Sequence, residues 1–165
     1  MKSLHTLLIL LASTSLAIAL PDFRWSKWGD TQEQVQLIEP VDIIPLDAGD
    51  DLYTGVTTVA STDMFLVYQF IGNKLTRATY YLRDSFETAA PYWSIYYKLE
   101  GLLNAKYGLG VRYHGYSAAI ATWTTPATTI WLTYDSGSPV SKISLSYTSH
   151  EFNFLTDTEF EMAEY

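Results

Sequence analysis

Apolar residues recur along this chain with two periods, and the changes of period mark its elements. Tyr92, Ile95, Tyr96, Leu99, Leu102, Leu103 and Tyr107 are spaced by three and four, which lays one apolar stripe along a helix. Thr88 stands at the N-cap position, and Pro91 falls in the first turn, where backbone N–H groups lack helical partners. Lys106 suits the last turn, and Gly108 can close the helix in a left-handed conformation. Trp93 and Tyr97 lie off the stripe beside Glu100 and Asn104; four residues apart, they are expected to stack on one flank. A shorter helix is expected over Thr31–Glu39. There Thr31 and Gln34 form a capping box, Val35 and Ile38 supply a small stripe, and Pro40 ends the run.

Alternation with a period of two marks strands at Leu52–Ala60, Asp63–Ile71 and Lys74–Arg83, with Gly72-Asn73 as a two-residue hairpin turn. With Ile71 opposite Lys74, Met64, Leu66, Tyr68 and Phe70 share a face with Leu75 and Tyr81. The other face then carries Phe65, Val67, Ile71, Ala78, Tyr80 and Leu82. Both faces read as apolar, whereas an antiparallel sheet with one wet face alternates cleanly, so a cover over the second face is expected. Val111–Ser117 is an irregular Gly/Tyr segment with room for a short strand. Ala118–Thr125, Thr128–Asp135 and Val140–Thr148 are strands rich in Thr, Ile, Trp and Tyr. The Pro126 turn leaves two registers open. Closed with two residues it puts Trp123 on a face with Ile130; closed with three it puts Trp123 beside Trp131, Thr129 and Thr133. The order helix, three strands, helix, three strands predicts an α+β fold of two αβββ halves, an antiparallel sheet with helices packed on it.

The ends read differently. Lys2 precedes an apolar stretch from Leu7 to Leu20, and Ala17-Ile18-Ala19 is a small-x-small cleavage site, so residues 1–19 are expected to be a secretory signal peptide. The stretch is short and interrupted by Ser13, Thr14 and Ser15, which disfavours a membrane anchor. No Cys follows it to carry a lipid, and no transmembrane segment follows cleavage. The expected mature protein is periplasmic or secreted, with one α+β domain over 20–148 and an acidic tail over 149–165.

Composition narrows the chemistry. Of 165 residues, 15% are aromatic, with 13 Tyr, 7 Phe and 5 Trp, and only 17% are charged, which argues for a packed domain and against disorder. The net charge of −8 disfavours nucleic acid, whose phosphates need clustered cations. The absence of cysteine excludes disulfides, thiol nucleophiles and Cys-ligated zinc. Asp47, Asp50 and Asp51 invite a calcium reading, but the alternating oxygen ligands and closing Glu of such a loop are missing, so a solvated turn is expected. Asp135-Ser136-Gly137-Ser138 reads as a hairpin turn, and Gly108-Leu109-Gly110 lacks the third glycine of a phosphate loop. His114 and His150 carry no ligand-spacing motif. No metal, cofactor or catalytic residue is assigned.

Four motifs carry a resemblance: Trp-Gly-x-Thr-x-x-x-Val at Trp28–Val35, Tyr-x-Phe…Lys-Leu at Tyr68–Leu75, Lys-Tyr-Gly at Lys106–Gly108, and Trp-x5-Thr-Ile-x-Leu at Trp123–Leu132. Together they resemble a family of uncharacterised exported bacterial proteins over roughly Phe23–Glu151. The Gly-x-Thr-x-x-x-Val start also resembles the small outer-membrane assembly lipoproteins, which share layered architecture with β-lactamase inhibitory proteins. That second likeness implies a protein-binding sheet without catalysis. The expected function is therefore a non-catalytic protein-binding module of the cell envelope. Its candidate binding residues are Trp93, Tyr97, Trp123 and Trp131, and its expected partner is another envelope protein. A small-ligand binder for sugar or lipid is the alternative, and a hydrolase using a His/Asp site is a third.

Overall fold

A computed structural model of the chain describes residues 22–46, 51–139 and 142–152. The signal-peptide expectation at 1–19, Asp47, Asp50 and the acidic tail beyond Phe152 lie outside the described residues. Helix α1 (Gln32–Ile38) opens on the predicted capping box: Thr31 Oγ1 accepts from the Gln34 N–H, and Gln34 Oε1 accepts from the Thr31 N–H at 2.8 Å. Strands β1 (Ile44–Pro45), β2 (Leu52–Val59), β3 (Thr62–Ile71) and β4 (Lys74–Leu82) follow. Then come helix α2 (Ala89–Tyr107) and strands β5 (Val111–His114), β6 (Ala118–Thr124), β7 (Thr128–Asp135) and β8 (Ile143–Ser149). All eight strands form one antiparallel sheet in the order β1-β2-β3-β4-β8-β7-β6-β5, a β-rich α+β fold. Each helix is followed by four strands, not three. The added ones, β1 and β5, are the sheet's two short edges.

The predicted register of the β3–β4 hairpin holds for the two rungs next to the turn. Ile71 does pair with Lys74 and Phe70 with Leu75, but Gln69 pairs with Arg77. Thr76 is the extra residue of a β-bulge, and its Oγ1 donates to the Gln69 carbonyl at 3.2 Å. One extra residue reverses every side chain beyond it. Ala78, Tyr80 and Leu82 therefore join Met64, Leu66, Tyr68, Phe70 and Leu75 on one face, and all eight are buried. Tyr81 moves to the other face with Phe65, Val67 and Gln69. The hairpin is one-sided after all, and the expected cover over its second face is not needed; among the described residues no helix lies there.

Both helices pack on the buried face. Val35 of α1 is fully buried, while Ile38 is exposed. In α2 the stripe is turned from the predicted one: Tyr92, Tyr96, Leu99 and Leu103 are buried with Glu100, whereas Leu102 is half exposed. Thr88 occupies the N-cap without a side-chain bond; the start of α2 is tied instead by the Phe86 N–H donating to the Tyr92 hydroxyl at 2.7 Å. Phe23, in the lead-in that precedes α1, wedges between Tyr68, Tyr80 and Tyr147, with ring centroids 5.0–5.8 Å away. Strand β8 runs to Ser149, and the Phe152 ring lies over Gly29.

This tyrosine-rich core sets an alkaline limit. Burial pushes the Tyr68, Tyr80, Tyr96, Tyr134 and Tyr147 hydroxyls above their usual range. Raised folded-state values mean that the unfolded chain, titrating near about 10, loses protons first. Stability contributed by these groups is complete below about pH 9 and falls as pH climbs past about 10. Urea midpoints measured from pH 8 upward, with tyrosinate absorbance followed in the folded state, are expected to show that decline, with tyrosines that ionise only on unfolding.

Candidate functional site

The Pro126 turn closes with two residues: the Thr125 N–H donates to the Thr128 carbonyl at 2.9 Å, and Trp123 pairs with Ile130. The register that would have joined Trp123 to Trp131 is thereby excluded, and the two lie on opposite faces. Trp123 is 3% exposed. Its Nε1 donates to the Gly108 carbonyl at 2.9 Å and to Asn104 Oδ1 at 3.2 Å, so it fastens the end of α2 to β6. It is a core residue, not part of a binding surface.

Trp131 belongs to the uncovered face. It pairs with Thr122 on β6 and Ser146 on β8 and is partly exposed. Around it runs a band of hydroxyls. Thr79 and Ser146 are linked at 2.8 Å, Thr133 and Ser144 at 2.7 Å, and Arg77 Nε donates to Thr148 Oγ1 at 3.3 Å. Towards the sheet's flanks the same face turns apolar, with Val56 and Phe65 on one side and Ile120, Val111 and Tyr113 on the other, all exposed. Trp131 thus sits at the middle of a face that is polar at its centre and apolar at its margins.

Trp93 and Tyr97 stack as the spacing predicts, with centroids 5.6 Å apart. The sequence did not foresee what joins them. His114, on the β5 edge, lies 5.7–6.2 Å from the rings of Trp93, Tyr96 and Tyr97. Beneath this group sits Glu100, 5% exposed, with Arg112 Nε at 3.4 Å and His114 Nε2 at 3.9 Å from its Oε1. That oxygen makes no hydrogen bond, nor does the buried Tyr96 hydroxyl. Burial, and then the Glu100 charge, push the Tyr96 hydroxyl up. Alternation could have found the partners, because Arg112 and His114 are two apart and share a face once Val111–His114 is read as a strand.

The two histidines do not meet. His114 lies in line with Ala119, Tyr134 and Ile143, while His150 lies past Ser149, roughly 20 Å along the strands. They are also on opposite faces: His114 turns towards α2, whereas His150 Nε2 is 2.8 Å from Thr129 Oγ1 on the uncovered side. Among the described residues no three His, Asp or Glu side chains converge as metal ligands.

A groove runs along the C-terminal end of α2. One compartment of about 390 Å³ is lined by Asp22, Lys106, Tyr107, the Thr125–Thr128 turn, Ile130 and Tyr147. An adjoining one of about 370 Å³ shares Asp22, Lys106, Tyr107 and Tyr147 and reaches Arg24 and Tyr80. Comparison of the chain with protein-family models, with curated proteins and with solved structures finds no match.

Proposed function

We propose that this chain is an exported, non-catalytic domain that docks another protein of the cell envelope on the uncovered face of its sheet. One observation carries the reading: both helices and the lead-in are packed on the same face of an eight-stranded sheet. The opposite face combines a half-buried tryptophan, a band of hydrogen-bonded hydroxyls in which Thr133, Ser144 and Ser146 are partly exposed and Thr79 and Thr148 are buried, and apolar margins. Tryptophan is among the residue types on which protein interfaces concentrate their binding energy, and Trp131 is the large aromatic at the middle of this face. The repeated order of a helix and four strands supports reading the fold as two related halves meeting at β4 and β8. The Trp-Gly-x-Thr-x-x-x-Val resemblance supports export and sheet-mediated binding.

The test is photocrosslinking in envelope preparations from cells expressing the full chain. A photoreactive residue at Phe65 or Ile120 is expected to capture the same partner, and one at Leu37 on α1 is not. With that partner in hand, Trp131→Ala is expected to weaken binding about 30-fold or more, as a central hot spot does, while the melting temperature changes little. No capture from either open-face position, in cells where the protein is functional, contradicts the reading.

A second reading, a small-ligand site for a sugar or lipid, is favoured by the Asp22–Lys106 groove, whose volume falls within the usual range for such sites. It predicts a ligand-dependent rise in melting temperature that Tyr147→Ala removes.

A further inference from the structure

The two edges of the sheet are treated differently. Strand β1 is two residues long and contains Pro45, which blunts it against further pairing. Strand β5 has no proline, and all four of its residues are exposed. It is flanked by the exposed apolar side chains Leu109 and Tyr116, and itself presents Val111 and Tyr113. The hydrogen bonds of β5 fix which of its backbone groups are free. The Gly115 N–H donates to the Ala118 carbonyl at 2.7 Å, and in an antiparallel ladder the pairs alternate, so Tyr113 and Val111 spend their N–H and C=O groups on β6. Arg112 and His114 point theirs out of the sheet. The next outward N–H, that of Gly110, is already taken by Asn104 Oδ1 at 3.1 Å.

We propose that β5 pairs antiparallel with β5 of a second copy of this chain, Arg112 opposite the partner's His114, about a two-fold axis at Tyr113. The free groups select this register. Each Arg112 exchanges both backbone hydrogen bonds with a His114, which uses every outward group on the strand. The neighbouring symmetric register sets Arg112 against Arg112, a like-charge pair, and needs the Gly110 N–H that Asn104 holds. In the chosen register each Arg112 meets an imidazole, and the pair lies above Glu100, whose Oε1 still has hydrogen-bonding capacity. Tyr113 then faces its own copy across a non-hydrogen-bonded rung, where aromatic pairs contribute most closely. The dimer continues the sheet through both copies and doubles the uncovered face.

The chain has no cysteine, so a single introduced thiol tests the register directly. In the full-length protein, Tyr113→Cys is expected to form a disulfide-linked dimer under mild oxidation much faster than Leu109→Cys, because a non-hydrogen-bonded rung brings the two Cα atoms to about 4.5 Å. By sedimentation equilibrium the parent chain is expected to be a dimer. Tyr113→Glu, which places like charges on the axis at an exposed position, should weaken that dimer at least about 100-fold with an unchanged melting curve of the monomer. A parent chain that is monomeric at its solubility limit overturns the proposal. Equal disulfide rates at 113 and 109 overturn it too, as does a dimer that Tyr113→Glu leaves intact.

Discussion

Replacing Trp123 with alanine is expected to cost about 3–5 kcal/mol of folding stability, the range for emptying a large aromatic from a core. For a domain of this size that lowers the melting temperature by on the order of 10 °C. The indole does two things at once. Its ring fills the space beside Gly110, where an added Cβ would come within 2.6 Å of it. Its N–H is the link that holds the α2 C-terminus, through the Gly108 carbonyl and Asn104, against β6. Trp123→Phe keeps most of the ring and loses the link, so it should be milder overall. Hydrogen exchange should then show faster opening confined to the last turn of α2 and to Gly110. Protection lost evenly across the whole domain would contradict this role.

Arg24→Met is expected to be comparably severe, about 3–5 kcal/mol, because it strands a buried carboxylate. Glu39, at the C-cap of α1, has a fully buried side chain, and its ion-pair partner among the described residues is Arg24, with Nε at 3.0 Å from Oε2. Arg24 is itself held in place by Thr57 Oγ1 and by the Tyr80 hydroxyl, which accept from Nη1 at 3.2 and 3.5 Å. Removing the cation leaves Glu39 to be desolvated alone. The paired change Arg24→Met with Glu39→Met removes both charges and should recover most of the loss, since apolar groups of similar size often replace a buried ion pair without penalty. Equilibrium urea unfolding of the two single variants and the double variant measures the coupling. Additive effects would mean that the two side chains act independently.

The elements were legible because their chemistry is local. The capping box at Thr31, the stop at Gly108 and the turn at Gly72-Asn73 each involve residues within a few positions of one another. What the sequence hid was set by distant neighbours or by parity. Thr76 looks like any strand residue, yet as a bulge it turns Ala78, Tyr80 and Leu82 inward and made a one-sided hairpin read as two-sided. Glu100 reads as a solvated helix residue until β5 arrives from later in the chain with Arg112 and His114. Trp123 and Trp131 differ in fate because a two-residue turn at Pro126 separates their faces, a choice that composition does not make. Of the four candidate binding residues, the Trp93–Tyr97 stack was visible from helical spacing alone, while its histidine and carboxylate neighbours were not.

One sheet face is spent against the helices, and the other is expected to stay open in the whole protein. Because the chain lacks cysteine, thiol reactivity reads this directly. Val56→Cys and Thr122→Cys lie on opposite flanks of the open face, and Ala121→Cys is the fully buried control beside Thr122. In the full-length chain, Val56→Cys is expected to react with a maleimide close to the rate of an unstructured thiol, the half-buried Thr122→Cys more slowly, and Ala121→Cys only on unfolding. Protection of both open-face thiols at the level of Ala121→Cys would contradict the account.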